Sequence, residues 1–258
     1  MSDPFASSRS RLAWAKETLI PDLNKRLWEF NNLNPYAKVI EPDPQKPDWE
    51  IHKIKLVQPF PEAFANIASD VVVNLRSALD NAGYAIAVAT GKPDARNTAF
   101  PFAKDVANMA SSIGRSADLP KEIQSLFCGF QPYRGGNDFL WALNELCNGN
   151  KHKFLTSMGT IMWRGAVAVK GFGRPFSMPD PHKWDSANNE MVVVRLGPIQ
   201  VPDATWNYDF DFFPFVAINE IPVVEGKPVL AVLSQFCLIV NSILTAIEAE
   251  SRRLGIVK

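Results

Sequence analysis

Arg76 and Asp80 stand four residues apart in the run NLRSALD, Asn74 to Asp80. On a helix that spacing makes them surface neighbours. The pair reads either as a local ion pair at the edge of a core or as an anion-binding guanidinium whose geometry is fixed by its own carboxylate. A second run, NELCNGNKHKF from Asn144 to Phe154, carries Asn144, Asn148 and His152 at i, i+4 and i+8. On an unbroken helix these three form one polar column, set away from the stripe of Phe139, Leu143, Leu146 and Cys147 and facing solvent, a cleft or another subunit. Asn148-Gly149 equally suits a helix end, which would leave Asn150 to Lys153 as a solvated turn. On the functional reading His152 is an acid, base or ligand, while Asn148 and Lys151 orient or neutralise a substrate.

Other residues offer weaker chemistry. Asp209 and Asp211 in NYDFDFF point to the same face of a strand. They suit either a divalent cation or plain solvation, with Tyr208, Phe210 and Phe212 forming the core face. His182 in PDPHKW reads as an exposed loop residue and His52 as a surface strand residue. With only three histidines, in a hairpin, a helix end and a loop, a multi-histidine metal centre is not expected. GxGxxG, Walker-type GxxxxGKS/T, HExxH and GxSxG strings are absent. Cys128, Cys147 and Cys237 are widely spaced and odd in number, which argues against a zinc knuckle and a disulfide framework and for a reducing cytosol. No metal and no cofactor is expected.

The elements that must position these residues follow from periodicity. Residues 9–32 predict a first helix, with Pro21 marking a kink or break. Residues 36–58 alternate as a hairpin around the turn-rich EPDPQKPD. Residues 61–90 predict the longest helix, with Phe64, Ala68, Val71, Leu75, Leu79, Ala82 and Ile86 on one side. Residues 97–103 read as extended. Shorter helices follow over 104–112, 120–128 and 137–148. Residues 156–224 read as strands, and an apolar helix over 228–250 closes the pattern. The expectation is a single α+β domain over 1–258, with helical parts 9–32, 61–155 and 228–254 and β-rich parts 36–58 and 156–224. In it a helical bundle with long central helices, 61–90 and 228–250, packs with an antiparallel β-sheet.

Composition narrows the class. Apolar residues make up 47% and charged residues 21% of 258, the balance of a soluble globular protein. The formal net charge is zero, so nucleic acid is not indicated as a partner. The run Pro228 to Glu248 has the length of a membrane span. Ser234, Gln235, Asn241 and Ser242 within it favour a buried core helix instead, and no membrane association is expected. MSDPFASSRSRLAW lacks the apolar stretch of a secretory signal. The expected location is cytoplasmic. Partners are unknown, a homo-oligomer being the one candidate.

Three strings carry a resemblance: Arg76 to Asp80 (RSALD), Gln131 to Tyr133 (QPY), and Asn148 with Lys151 and His152. Over residues 70–155 the chain resembles a group of uncharacterised bacterial proteins with an Arg-Ser-Ala-Leu-Asp-His string, a Gln-Pro-Tyr string and an Asn-x-Asp-Lys-His-Arg string. It departs from them at Asn81, where the group has histidine, and at Asn150, where it has aspartate; both changes remove a titratable group. A more distant analogy is to the HEPN helical bundles, many of them RNases, whose active pattern is Arg, four to six residues, then His. Here the nearest arginine before His152 is Arg134, so that motif is absent.

These residues leave enzyme and binding protein both open. The first expectation is a non-enzymatic binding or regulatory protein with a polar Arg/Asp/Asn/His cluster. The second is an HEPN-like RNase or phosphoester hydrolase, with His152 moving the proton and Arg76 meeting phosphate charge. Arg76, Asp80 and His152 are the catalytic candidates. Gln131, Tyr133, Asn144, Asn148 and Lys151 are the binding candidates. Arg76, Asp80, Gln131, Tyr133, Asn148 and His152 are expected in one cleft.

Overall fold

In the computed structural model, which describes residues 3–149, 155–164, 174–179, 182–199, 209–219 and 221–257, the fold is α+β. The chain forms two units. One holds residues 1–26, 62–155 and 218–258 and is helical; the other holds 27–61 and 156–217 and is built on strands.

In the helical unit, α1 covers Ala6–Ala13; α2, Ile20–Asn32, begins in this unit and its residues from Leu27 on belong to the other. Between them Trp14–Leu19 winds as a π-helix, closed by the Ile20 N–H donating to the Ala15 carbonyl five residues back. The helix therefore passes through Pro21 without breaking. A proline ring collides with the carbonyl four residues before it, and the wider π turn just upstream is a standard way to absorb such a misfit.

Helix α3, Glu62–Ala89, buries Phe64, Ala68, Val71, Leu75, Leu79, Ala82 and Ile86, the stripe that the periodicity marks. Helix α7, Val229–Arg253, buries Val232, Leu233, Phe236, Val240, Leu244 and Ile247. Its length and hydropathy would suffice to cross a bilayer, but its opposite face carries exposed Ser234, Gln235, Asn241, Ser242 and Thr245. Helices α3 and α7 pack on each other. Between them in sequence lie α5, Lys121–Gly129, and α6, Asp138–Asn148. The stretch expected as one helix over 104–112 is instead three short pieces: 3₁₀ turns at Val106–Asn108 and Ile113–Ser116 flanking α4, Met109–Ser112. The Asp105 side chain starts the first by accepting from the Asn108 N–H.

The strand unit opens with the expected hairpin, β1 Tyr36–Asp43 and β2 Lys46–Leu56. The strands reach further into EPDPQKPD than its prolines suggest. Pro42 is tolerated because β1 lies at the sheet edge. A bulge between His52 and Lys53 shifts the register. It explains why Ile51 and Ile54, three apart, are both buried. β6, Glu190–Leu196, pairs antiparallel with β2, and on its other edge with two short strands, β4 Phe176–Ser177 and β5 Trp184–Asp185. A separate pair joins β3, Leu155–Arg164, to β7, Asp209–Ile218. Ile54, Val193, Val194, Leu196 and Phe210 form the core of this unit, with Tyr36, Trp184 and Phe212 packed against it.

Candidate functional site

Arg76 leaves α3 on the flank of its apolar stripe, with only 13% of its side chain exposed. Three groups meet it. Its Nη1 donates to Asn144 Oδ1 of α6 at 2.5 Å. Its guanidinium lies over the ring of Phe102, 4.5 Å from the centroid, a cation–π contact that gains from desolvation. Its Nε is 3.6 Å from Asp80 Oδ2, an ion pair too long to be a hydrogen bond. That Nε is buried and has no hydrogen-bond acceptor among the described residues.

Asp80 is held in turn by the segment that follows α3. Its Oδ1 accepts from the Phe100 N–H at 2.9 Å. Gly83 makes this approach feasible: a Cβ there would stand 1.9 Å from the Thr98 carbonyl oxygen. Burial pushes the Asp80 carboxyl above its ordinary value, against the opposing pull of Arg76, the Phe100 N–H and Arg115.

Asn144 is buried, so the expected column does not share one surface. Asn144 faces α3, while Asn148, at the helix end, is exposed. Gly149 closes α6 in an extended conformation. Lys151 and His152, and Asn150 beside them, lie outside the described residues, as does any distance from His152 to Arg76.

Gln131 and Tyr133 serve the backbone. Gln131 adopts a positive φ of 52°. Its carbonyl accepts from the Tyr133 and Asn137 N–H groups, and the neighbouring Pro132 carbonyl accepts from the Ala103 N–H. That last bond pins the chain next to Phe102. Neither Gln131 nor Tyr133 is hydrogen-bonded to Arg76 among the described residues. Arg76, Asp80 and Asn144 come together; Gln131 and Tyr133 shape a turn whose Pro132 carbonyl holds Ala103, next to Phe102.

Phe100 and Phe102 are site residues that spacing and periodicity do not single out. Their rings pack 5.0 Å apart, and Phe100 also meets Phe127 at 4.9 Å. The signal that could have found them is the string FPF: an extended proline between two aromatics places both rings where a helix flank can receive them.

Two histidines are corrected. His52 is not a surface residue, its side chain being 12% exposed and 3.5 Å from Glu50 Oε2. Burial lowers its pKa despite that carboxylate. His182 is half-buried, with Nε2 3.0 Å from the Val193 carbonyl. Phe210 is core as expected, while Tyr208 and the Asp209 side chain lie outside the described residues, so the expected carboxylate pair is not defined. Among the described residues, no group of three or more His, Cys, Asp or Glu is arranged to hold a metal ion. No family model, no curated protein and no solved structure matches this chain.

Proposed function

We propose that this chain is a non-enzymatic binding or regulatory protein in which Arg76, Asp80 and Asn144 form a structural network. The observation that carries this reading is the state of the guanidinium. It is desolvated, stacked on Phe102 and hydrogen-bonded to a buried amide. A catalytic or anion-binding arginine needs its donors directed at a ligand. Here one donor is spent on Asn144, and the ring of Phe102 covers a face of the cation. On this reading the helical unit is a bundle organised on α3 and α7, and the network fixes α6 and the 97–103 segment against it.

A second reading, an HEPN-like RNase or phosphoester hydrolase using His152 and Arg76, draws on one observation: the buried Nε without a hydrogen-bond acceptor among the described residues. Both readings are tested by Arg76→Ala and His152→Ala made separately. The binding-protein reading expects Arg76→Ala to cost about 1–3 kcal/mol in urea denaturation, because the buried Asn144 acceptor is left unsatisfied. It expects His152→Ala to melt as the parent does, and it expects no cleavage of single-stranded RNA or bis(p-nitrophenyl) phosphate by the parent. Hydrolysis by the parent, lost in both variants while both stay folded, would overturn it.

A further inference from the structure

A cleft of about 400 Å³ opens in the helical unit between α7 and the stretch formed by α1 and the π-helical turn. Its size falls at the small end of the range for sites that take organic ligands. Its walls are apolar: Leu12 and Ile20 on one side, Leu238 on the other, with Cys237 between. Leu238 is 62% exposed. Burial pushes the Cys237 thiol up to about 11. At neutral pH that thiol is protonated and behaves as one more apolar surface, not as a nucleophile.

Five of the ten lining residues are polar: Arg9, Lys16, Glu17, Ser234 and Asn241. Arg9 lies at one end, but its charge is met by the buried Glu248 at 2.5 Å. Lys16, exposed on the π-helical turn, has no ion pair or hydrogen bond among the described residues, and it is the charge that the Cys237 thiol senses. Glu17, the one acid of the lining, is not among the charges acting on that thiol. Ser234 and Asn241 line the α7 side, one helical turn to either side of Leu238, and carry exposed donors. The cleft thus combines a hydrocarbon-lined body, a positive point charge beside its floor, and two neutral hydrogen-bond donors. The π turn that builds one wall is a distortion that recurs at functional sites.

We propose that this cleft binds a small amphipathic carboxylate, a medium-chain fatty acid or an acid of like shape. The chain lies on Leu12, Ile20 and Leu238, and the carboxylate meets Lys16. A hydrocarbon tail accounts for the apolar walls, and a single anionic head accounts for one unpaired ammonium next to a neutral floor. A dianionic phosphate ester suits the cleft less well, because Glu17 is near and Arg9 is already engaged.

The inference deepens the binding-protein reading and rests on it, yet the two fail separately. Phosphodiester cleavage would remove that reading whatever decanoate does, and absence of decanoate binding would remove this inference alone. The test is isothermal titration of the full chain with decanoate below its micelle concentration, with thermal shift as a second readout. Saturable binding is expected, with a raised Tm. Lys16→Glu, a change at an exposed position, should weaken binding by about tenfold or more. Lys104→Glu, the same charge change at an exposed lysine outside the lining, should leave it unchanged. Decylammonium should bind more weakly than decanoate to the parent and more tightly to Lys16→Glu. No saturable binding, equal loss in the two lysine variants, or equal affinity for decylammonium would each overturn the proposal.

Discussion

In the helical unit Arg76 Nε stands 3.6 Å from Asp80 Oδ2, whereas in the strand unit Lys53 Nζ lies 2.7 Å from both Glu41 and Glu190. The two arrangements treat their acids in opposite ways. Burial lifts the Asp80 carboxyl above its ordinary value. The hydrogen bond from Lys53 holds the Glu41 carboxyl below its own. The strand unit repeats its pattern: Arg174 lies 2.6 Å from Glu50 and also donates to the Gly197 carbonyl, and it depresses the Glu50 carboxyl. Asp43 is depressed by the Gln45 N–H and then by Arg195, whose Nη1 is 2.6 Å away. The physical difference is the partner of the cation. On strands, side chains on neighbouring strands lie abreast, and an ammonium can meet two carboxylates directly. In the helical unit the guanidinium is shared between an amide, an aromatic ring and a distant carboxylate, so desolvation outweighs attraction.

The largest test of this contrast acts on the scaffold of the helical site. Gly83→Ala sets a methyl group against the Thr98 carbonyl, a backbone atom that cannot rotate away. Alanine would gain up to about 1 kcal/mol of helix propensity, but overpacking against backbone should cost at the upper end of roughly 1–3 kcal/mol or more. The net result should be a clear fall in the urea midpoint. Because the displaced segment carries the Phe100 N–H, the Asp80 titration should move with it. An unchanged midpoint would mean that the 97–103 segment does not sit on α3 as described.

A smaller effect is expected in the strand unit. Lys53→Met removes the cation between Glu41 and Glu190, of which Glu41 is 39% exposed and Glu190 only 13%. Lys55 Nζ, 3.8 Å from Glu190, compensates in part. Solvent screening limits the Glu41 share, so the cost should be roughly 0.5–1.5 kcal/mol. The pH dependence has a definite sign. Glu41 has a depressed folded pKa, so its contribution is present above the unfolded value of 4.5 and is lost as pH falls through the folded value. In Lys53→Met that acid-side loss should shrink. An equally steep acid limb in the variant would assign it to Asp43 or Glu50 instead.

What is legible in the sequence follows from the same physics. Helices α3, α5, α6 and α7 begin and end within a few residues of their predicted limits, because each combines an apolar stripe with a proline, glycine or capping side chain at a boundary. The hairpin is legible from alternation. Three features are not. The π-helical turn before Pro21 depends on how a ring collision is relieved, which periodicity does not encode. The burial of Asn144 is hidden because projecting one helix cannot show that α3 brings an arginine to its polar side. The role of Phe102 is hidden because it lies in an extended segment whose partners are far away in sequence. Of the candidate site, the Arg76–Asp80 neighbourhood is legible from spacing alone, while its character as a desolvated, amide-bonded network requires the fold.

The finest test separates burial from pairing at Asp80. Asp80→Asn keeps an oxygen that can accept from the Phe100 N–H and removes the carboxylate charge. If attraction to Arg76 dominated, the change would destabilise the protein at neutral pH much as Arg76→Ala does. The geometry argues otherwise, since the ion pair is 3.6 Å long and the carboxyl is lifted, with burial the leading cause. Below the unfolded pKa, near the ordinary value of 3.8, Asp80 is neutral in both states and the two proteins should differ little. Above the folded pKa the parent carries an ionised group that folding disfavours. Asp80→Asn should therefore gain on the parent as pH rises through that window, by an amount within about 1 kcal/mol because the side chain is one-third exposed. Urea denaturation of both proteins near neutral pH and again below pH 4 reads this directly. A variant that is weaker at neutral pH, with the deficit vanishing in acid, would reverse the assignment: attraction between Arg76 and Asp80 would then outweigh the cost of burying the carboxylate.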